Sequence, residues 1–303
     1  MSVLTQPHFH NETAAIARLE AIGWPQGPHC PRCGGFDRIT TVKGGREGLR
    51  RCGPCKREFT VTVGTVFERS HVKLHIWFQA AHLMASSKKG ISAHQLHRTL
   101  GVTYKTAWFI EHRLRDGTLP MLGGEDKDVE ADTTYVGGKE KNKHTRKRDP
   151  RAIGGLGKQI AHTLVEHGGA ARSSHIADVT GKTLRTVLNN VDCKSALMTD
   201  TAGGYLHVGR EFSSHDTVDH GEDEYVRGNA HSNAVEGYFS ILKRGIIGTF
   251  HHMSEQHLHR YLAKFDFRYS NRSALGIEDE ARAALAMRGI VGMRLMYRDS
   301  SLA

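Results

Sequence analysis

Three acidic residues stand where strands and a helix would carry them toward one another. Asp132 lies inside the apolar run Val129-Glu-Ala-Asp-Thr-Thr-Tyr-Val136, and Asp200 ends Ala196-Leu-Met-Thr-Asp200, just before Gly203-Gly204. Glu236 sits in Ala234-Val-Glu-Gly-Tyr-Phe-Ser-Ile-Leu-Lys-Arg244, where Val235, Phe239 and Leu242 share one helical side. Two acids on core strands and one on a following helix can converge on a pair of divalent cations, and oxygen-only ligands suit Mg2+ or Mn2+. Two such ions about 3.5–4 Å apart clamp both oxygens of an in-line phosphoryl transfer. Lys243, two turns past Glu236, and Asn233, one turn before it, fall on the same helix face. Asn233-Ala-Val-Glu236 also reads as a capping box that merely closes a helix start. Between the two, Glu236 is the better third ligand, because a carboxylate binds Mg2+ more strongly than a neutral amide.

A second constellation is made of sulfur. Cys30-Pro-Arg-Cys33 and Cys52-Gly-Pro-Cys55 are eighteen residues apart, inside the spacing that marks a structural zinc site. Two thiolates on one tight knuckle reach one tetrahedral ion, and a hairpin delivers the second knuckle. Strands are expected at Arg38–Lys43 and Leu49–Arg51 around a Gly44-Gly45 turn, with a third at Glu58–Val63. A redox Cys-x-x-Cys pair would sit in a βαβ context, which the surrounding residues lack. Four cysteinates close the coordination shell, so this Zn2+ is expected to be structural. Cys193, the fifth cysteine, reads as a small buried residue.

Other elements must place these groups on a polyanion. Leu74, Trp77, Ala80, Ala81 and Met84 recur at helical spacing up to Ser87, before Lys88-Lys89-Gly90. The next segment, Ile91 to Ile110, reads as helix, tight turn at Gly101, then a second helix capped by Thr103. Lys105, His112, Arg113 and Arg115 would leave a cationic face for phosphates or base edges. An ordinary αα-hairpin with a solvated face fits the same residues. The run Lys139-Glu-Lys-Asn-Lys-His-Thr-Arg-Lys-Arg148, with Lys139, Lys143 and Arg146, reads as a phosphate-tracking loop, or else as a solvated one. His251, His252, His257 and His259 are joined by no Cys or carboxylate pattern and are not expected to form a second metal site.

Composition narrows the class. The chain has 303 residues, 38% hydrophobic and 24% charged, which is enough for packed cores and excludes wholesale disorder. A formal net charge of +10 favours a nucleic-acid partner. No apolar stretch approaches bilayer length, no secretory signal opens the sequence, and no Walker-type phosphate loop calls for a nucleotide cofactor. A cytoplasmic location, nucleoid-associated when bound to DNA, fits an odd count of five cysteines with four of them clustered near the N-terminus.

The spacing of Asp132, Asp200, Glu236 and Lys243 resembles the D-D-E triad and downstream lysine of retroviral-integrase-like transposases. More narrowly, the chain resembles the ISXO-like insertion-sequence transposases, the IS-fifteen-ninety-five group. The carrying segments are Trp24 to Cys33, Gly64-Thr-Val-Phe67, Lys89-Gly-Ile-Ser92, Thr106-Ala-Trp108, Val129 to Asp132 and Tyr135-Val-Gly-Gly-Lys139. They continue with Asn142-Lys-His144, His231 to Glu236, Gly248 to Ser254, His257-Leu-His-Arg-Tyr261 and Phe267-Arg-Tyr269. Thr133 departs from the pattern, which usually places an acid directly after the first aspartate, and some members use an asparagine at the third position, here Asn233.

The resemblance implies an α/β protein with an RNase H-like catalytic core, a mixed sheet flanked by helices, behind a zinc ribbon and a helix-turn-helix-like region. The expected domains are an N-terminal helix and ribbon (1–68), a helical DNA-binding region (69–120), the catalytic domain (121–273) and a helical tail (274–303). The implied activity is Mg2+- or Mn2+-dependent cleavage and strand transfer at the ends of an insertion sequence. Its partners would be double-stranded DNA, both terminal inverted repeats and target, bound by a homodimer or higher assembly. The rivals are an inactive zinc-ribbon DNA-binding regulator and an RNase H-like nuclease that never joins strands.

Overall fold

The computed structural model of the protein describes residues 3–114, 121–138, 142–149, 155, 157–201, 203–218, 226–227, 230–231 and 233–289. The chain divides into two compact units: Met1–Ser87 with Ile91–Gly117 and Ile277–Ala303, and Lys88–Gly90 with Thr118–Gly276.

In the first unit, helix α1 (Glu12–Gly23) starts where the Asn11 side chain accepts the Ala14 N–H at 3.0 Å. Strands β1 (Ile39–Thr41), β2 (Arg50–Cys52) and β3 (Glu58–Phe59) then form an antiparallel sheet in the order β1-β2-β3. Arg50 on β2 holds Glu20 on α1 through two parallel bonds of 3.0 and 2.7 Å, docking sheet on helix. Helix α2 (Leu74–Ser86) has no side-chain cap of its own. Instead the Glu12 carboxylate, from α1, accepts the N–H groups of Leu74 and His75 at 2.9 and 3.3 Å.

Helix α3 (Ala93–Leu100) begins in a capping box between Ser92 and Gln95 and ends at Gly101, whose φ of 65° is the left-handed conformation glycine tolerates. Thr103 then accepts the Thr106 N–H and starts α4 (Tyr104–Arg113). Leu19, Trp77, Leu96, Ala107 and Ile110, all fully buried, belong to one core that joins these helices to Val61, Val66 and Phe67 beyond the ribbon.

The second unit is built on a five-stranded mixed sheet. Its elements are β4 (Asp128–Val136), β5 (Gln159–Glu166), β6 (Ala171–Ile176), α5 (Gly181–Leu188), β7 (Ala196–Asp200), β8 (Ser214–Val218), α6 (Asn233–Gly245) and α7 (Glu255–Ser270). The strand order is β6-β5-β4-β7-β8. The β4–β5 and β5–β6 pairs are antiparallel, and the β4–β7 and β7–β8 pairs are parallel. Alternation along β4 sends Val129 and Ala131 into a core with Leu184 and Leu188 of α5. It sends Val136 into a second core with Val235, Tyr238, Phe239, Leu258 and Phe265 of α6 and α7. Glu130, Asp132 and Thr134 share the parity of Val136 and so the α6–α7 face.

The last described helix, α8 (Asp279–Gly289), returns to the first unit and packs on α1 and α2. Its fully buried Arg282 donates to the carbonyls of Ala85 and Ile277, and Met287 enters the same core as Trp77. Gln6 also bonds Glu280 at 3.1 Å. No described helix is long and apolar enough to cross a membrane.

Candidate metal centres and nucleic-acid face

The ribbon brings its four thiols together. The ligand atoms of Cys30, Cys33, Cys52 and Cys55 all lie within 4.8 Å of one another. Cys30 Sγ is 3.7 Å from Cys55 Sγ, and Cys33 Sγ is 3.6 Å from Cys52 Sγ. A tetrahedral ion with Zn–S bonds of about 2.3 Å requires sulfur–sulfur edges of about 3.8 Å, so the quartet has the size of a zinc shell. No disulfide joins these cysteines. Burial pushes the Cys30 thiol up, but the N–H groups of Cys33 and Arg32 and the neighbouring thiols more than offset it, leaving it at about 7. At Cys52 the N–H of Cys55 lowers the thiol, but burial and its three thiol neighbours push it up to about 12. Four adjacent thiolates repel one another unless a cation sits among them, which is the condition a Zn2+ ion meets. Cys193, expected to be buried, is instead exposed on the turn after Asp192.

Asp132 and Asp200 are neighbours across two parallel strands. The register pairs Ala131 with Thr199, and the two aspartates are the next residues on β4 and β7. Both are half-buried and share a sheet face. Just beyond Asp200, the buried Tyr205 hydroxyl lies 3.0 Å from His162 Nε2. Burial, followed by the charges of Asp200 and then Asp132, drives the Tyr205 hydroxyl upward, so both carboxylates act on one ring. Burial lowers His162 to about 4, which keeps that imidazole neutral. The aspartate pair offers only oxygen donors, which suits a hard divalent cation.

Glu236 and Asn233 lie exposed on the first turn of α6, the helix that packs on β4. Among the described residues, only the cysteine quartet forms a group of three or more metal-ligand side chains, so Glu236 does not close such a group with the two aspartates. Lys243 is exposed farther along α6, its ammonium 5.8 Å from the Phe239 ring centre.

Several polar residues around this face were not singled out in the sequence. Glu130, 1% exposed, accepts the Val235 N–H at 2.7 Å through Oε2 and meets His167 Nε2 at 2.5 Å through Oε1. That bond, outweighing the effect of burial, raises the His167 imidazole. Asp266 on α7, fully buried, accepts from the Tyr238 hydroxyl and from Ser173 N–H and Oγ. Ser173 in turn bonds Thr163, which pairs with Asp132 in the β4–β5 register. Burial pushes Asp266 up to about 7 despite these donors. The Gly168-Gly169 pair, at the turn between β5 and β6, is the local sequence signal that could have marked this hairpin.

The basic residues separate into two kinds. Lys105, Lys143 and Arg146 are exposed. Arg113 is half-buried: its guanidinium donates to the Val66 carbonyl and lies 3.9 Å from the Phe109 ring centre. His112, read as part of the same cationic face, is buried with its ring 4.0 Å from that of Trp108. Helix α4 packs through both sides, so these two side chains turn inward where periodicity alone placed them outside. Arg115 and Lys139 lie outside the described residues. Past the end of β4, a cavity of about 910 Å3 is bordered by Gly137, Gly138, Lys143, Ile247, His251 and His252. His215 is occupied by a 2.9 Å bond to Thr199.

Residues 121–270 match the ISXO2-like transposase domain, and residues 10–58 match the transposase zinc-ribbon domain. The chain is also similar to a protein in the transposable element ISH50 of Halobacterium salinarum, with 29% identity over 278 residues, covering 86% of this chain and 91% of that protein.

Proposed function

Since this chain belongs to the ISXO2-like transposases, we infer that it cuts the ends of an insertion sequence and joins them to target DNA. The observation that carries the reading is the placement of Asp132 and Asp200 side by side on the central parallel strands. The strand order β6-β5-β4-β7-β8, two antiparallel pairs followed by two parallel ones, supports an RNase H-like core.

Asp132 and Asp200 would hold the catalytic ions, with Glu236 as third ligand and Asn233, one turn away, as its competitor. Mg2+ or Mn2+ bound there supplies Lewis acidity to the oxygens at the reacting phosphorus. In the first step a water oxygen bonds to phosphorus and the P–O3′ bond breaks, leaving a 3′-hydroxyl and a 5′-phosphate. In the second, that 3′-hydroxyl attacks a target phosphodiester and displaces its 3′ oxygen, which leaves with a proton. One phosphodiester replaces another, so no nucleotide cofactor is required. Lys243 and the loop cations Lys139, Lys143 and Arg146 would hold phosphates beside the acids. The ribbon and the α3–α4 pair, with Lys105 and the neighbouring Arg115, would read the terminal repeats, while Arg113, turned onto Val66 and Phe109, would support that helix from within. Two ends must be held at once, so a dimer or higher assembly on DNA follows.

The test is incubation of the zinc-loaded protein with its own terminal-repeat DNA and a target plasmid, with and without Mg2+. Cut and joined products that require the ion are expected. Cut products alone would make the protein a nuclease, and binding without either product would make it a regulator.

A further inference from the structure

We propose that Glu130 is a positioning residue for the carboxylate site, fixing the helix that carries Glu236 against the strand that carries Asp132. The inference rests on the reading of Asp132, Asp200 and Glu236 as ion ligands. Glu130 stands two residues before Asp132 on the same face of β4, and its Oε2 accepts the N–H of Val235, the residue directly before Glu236. One hydrogen bond thus ties the first and third acids with lever arms of two residues and one. Burial makes the tie stiff: Glu130 is 1% exposed, and its other oxygen is clamped by His167 from the turn between β5 and β6.

Both carboxylate oxygens are therefore engaged by the protein, so Glu130 is placed to hold a ligand-bearing element rather than to bind an ion itself. The first turn of α6 supplies the electrostatics, since its outward N–H groups favour a negative charge at that end. A helix held this way can rotate or slide little, and Glu236 lies on the exposed side of the turn being held. Glu12 makes the same kind of bond to the start of α2 in the first unit, belongs to no metal-ligand group among the described residues, and serves as a built-in control.

The probe is Mn2+ alone, its binding to the full zinc-loaded chain followed by electron paramagnetic resonance without DNA. Glu130→Ala should weaken Mn2+ binding by about 10–100-fold, the usual effect of removing a group that orients a ligand. Glu130→Gln should restore most of it, because the amide oxygen still accepts the Val235 N–H while the amide nitrogen faces His167. Combined with Glu236→Ala, Glu130→Ala should add almost nothing, since the residue acts through the ligand already removed. Glu12→Ala should lower the melting temperature and leave Mn2+ binding unchanged.

Unchanged affinity in Glu130→Ala overturns the proposal, as does a loss that adds in full to that of Glu236→Ala or a Gln variant as weak as the Ala one. If Glu130→Ala does not fold, His167→Ala frees one oxygen of the same carboxylate and should weaken Mn2+ binding several-fold, again without adding to Glu236→Ala; an unchanged affinity there overturns the proposal equally. If Asp132→Asn binds Mn2+ as well as the unmodified protein, the carboxylate site itself fails, a result separable from failure of the Glu130 tie.

Discussion

The sulfur ligands of the first unit come from two turns of one small sheet, whereas the acids of the second come from β4, β7 and α6, spread from position 132 to 236. The ribbon has little else to hold it: Cys30, Cys52 and Phe59 are the buried members of its own cluster. The acids sit on a sheet covered on both faces by helices, with polar ties such as Glu130 and Asp266 already closed within the protein. A zinc ion at the first site would be part of the fold, whereas an ion held by the acids proposed for the second would be an addition to a scaffold that stands without it. Local ligands make a metal-dependent module, and dispersed ligands make a site that inherits its geometry from the core.

The largest effect that can break this contrast is loss of zinc. Structural zinc in such modules contributes on the order of 10 kcal/mol of folding energy. Cys52→Ser should therefore release one zinc per chain, measured by atomic absorption, and unfold the ribbon. The second unit should keep its own melting transition, and its loss together with the ribbon would erase the distinction. Next come the acids. Asp132→Asn and Asp200→Asn should lower cleavage and joining by about 10³-fold or more while zinc content and end binding stay unchanged. Glu236→Gln beside Asn233→Ala decides the third ligand: an active Gln variant with a dead Ala variant assigns the role to Asn233.

A smaller effect concerns pH. Asp266 titrates near 3.8 when unfolded and at about 7 when folded, so across that window the native state keeps a proton that the unfolded chain releases. Raising pH from about 4 to about 7 should therefore destabilise the second unit, on the order of a few kcal/mol, and Asp266→Asn should remove the dependence. Thermal melts of both proteins at pH 5 and pH 8 measure it; parallel pH profiles would exclude Asp266 as the source. The smallest change is at Lys105. Lys105→Ala should reduce the salt dependence of end binding by about one unit of slope in a titration against DNA. Arg113→Ala should instead lower the melting temperature, because its guanidinium is spent on Val66 and Phe109.

What could be read in the sequence follows the same division. Cys30 to Cys55 is one short stretch whose spacing alone encodes a site, and the Gly101 turn and Thr103 cap are likewise local chemistry. Strand β7 was visible as a short apolar run stopped by glycines. Glu130 was hidden because nothing around it marks a bond to Val235, one hundred and five positions away. Tyr238, Ser173 and Asp266 were hidden for the same reason: each is ordinary until the sheet and α7 bring them together. The inward turn of Arg113 and His112 was illegible because helical periodicity does not count how many sides of a helix are packed.

The return of α8 to α1 and α2 has a consequence for synthesis. Arg282 and Met287 complete a core whose other members, Trp77 among them, are translated before residue 118. The ribosome must add the entire second unit before that core can close, a delay of roughly ten to thirty seconds at about 5–20 residues per second. During this interval the sheet of the second unit can fold to completion while the first unit still lacks α8. The acid-bearing second unit can thus emerge as a finished body before the first unit closes, and a chain arrested before Asp279 should expose Trp77 and its neighbours to protease.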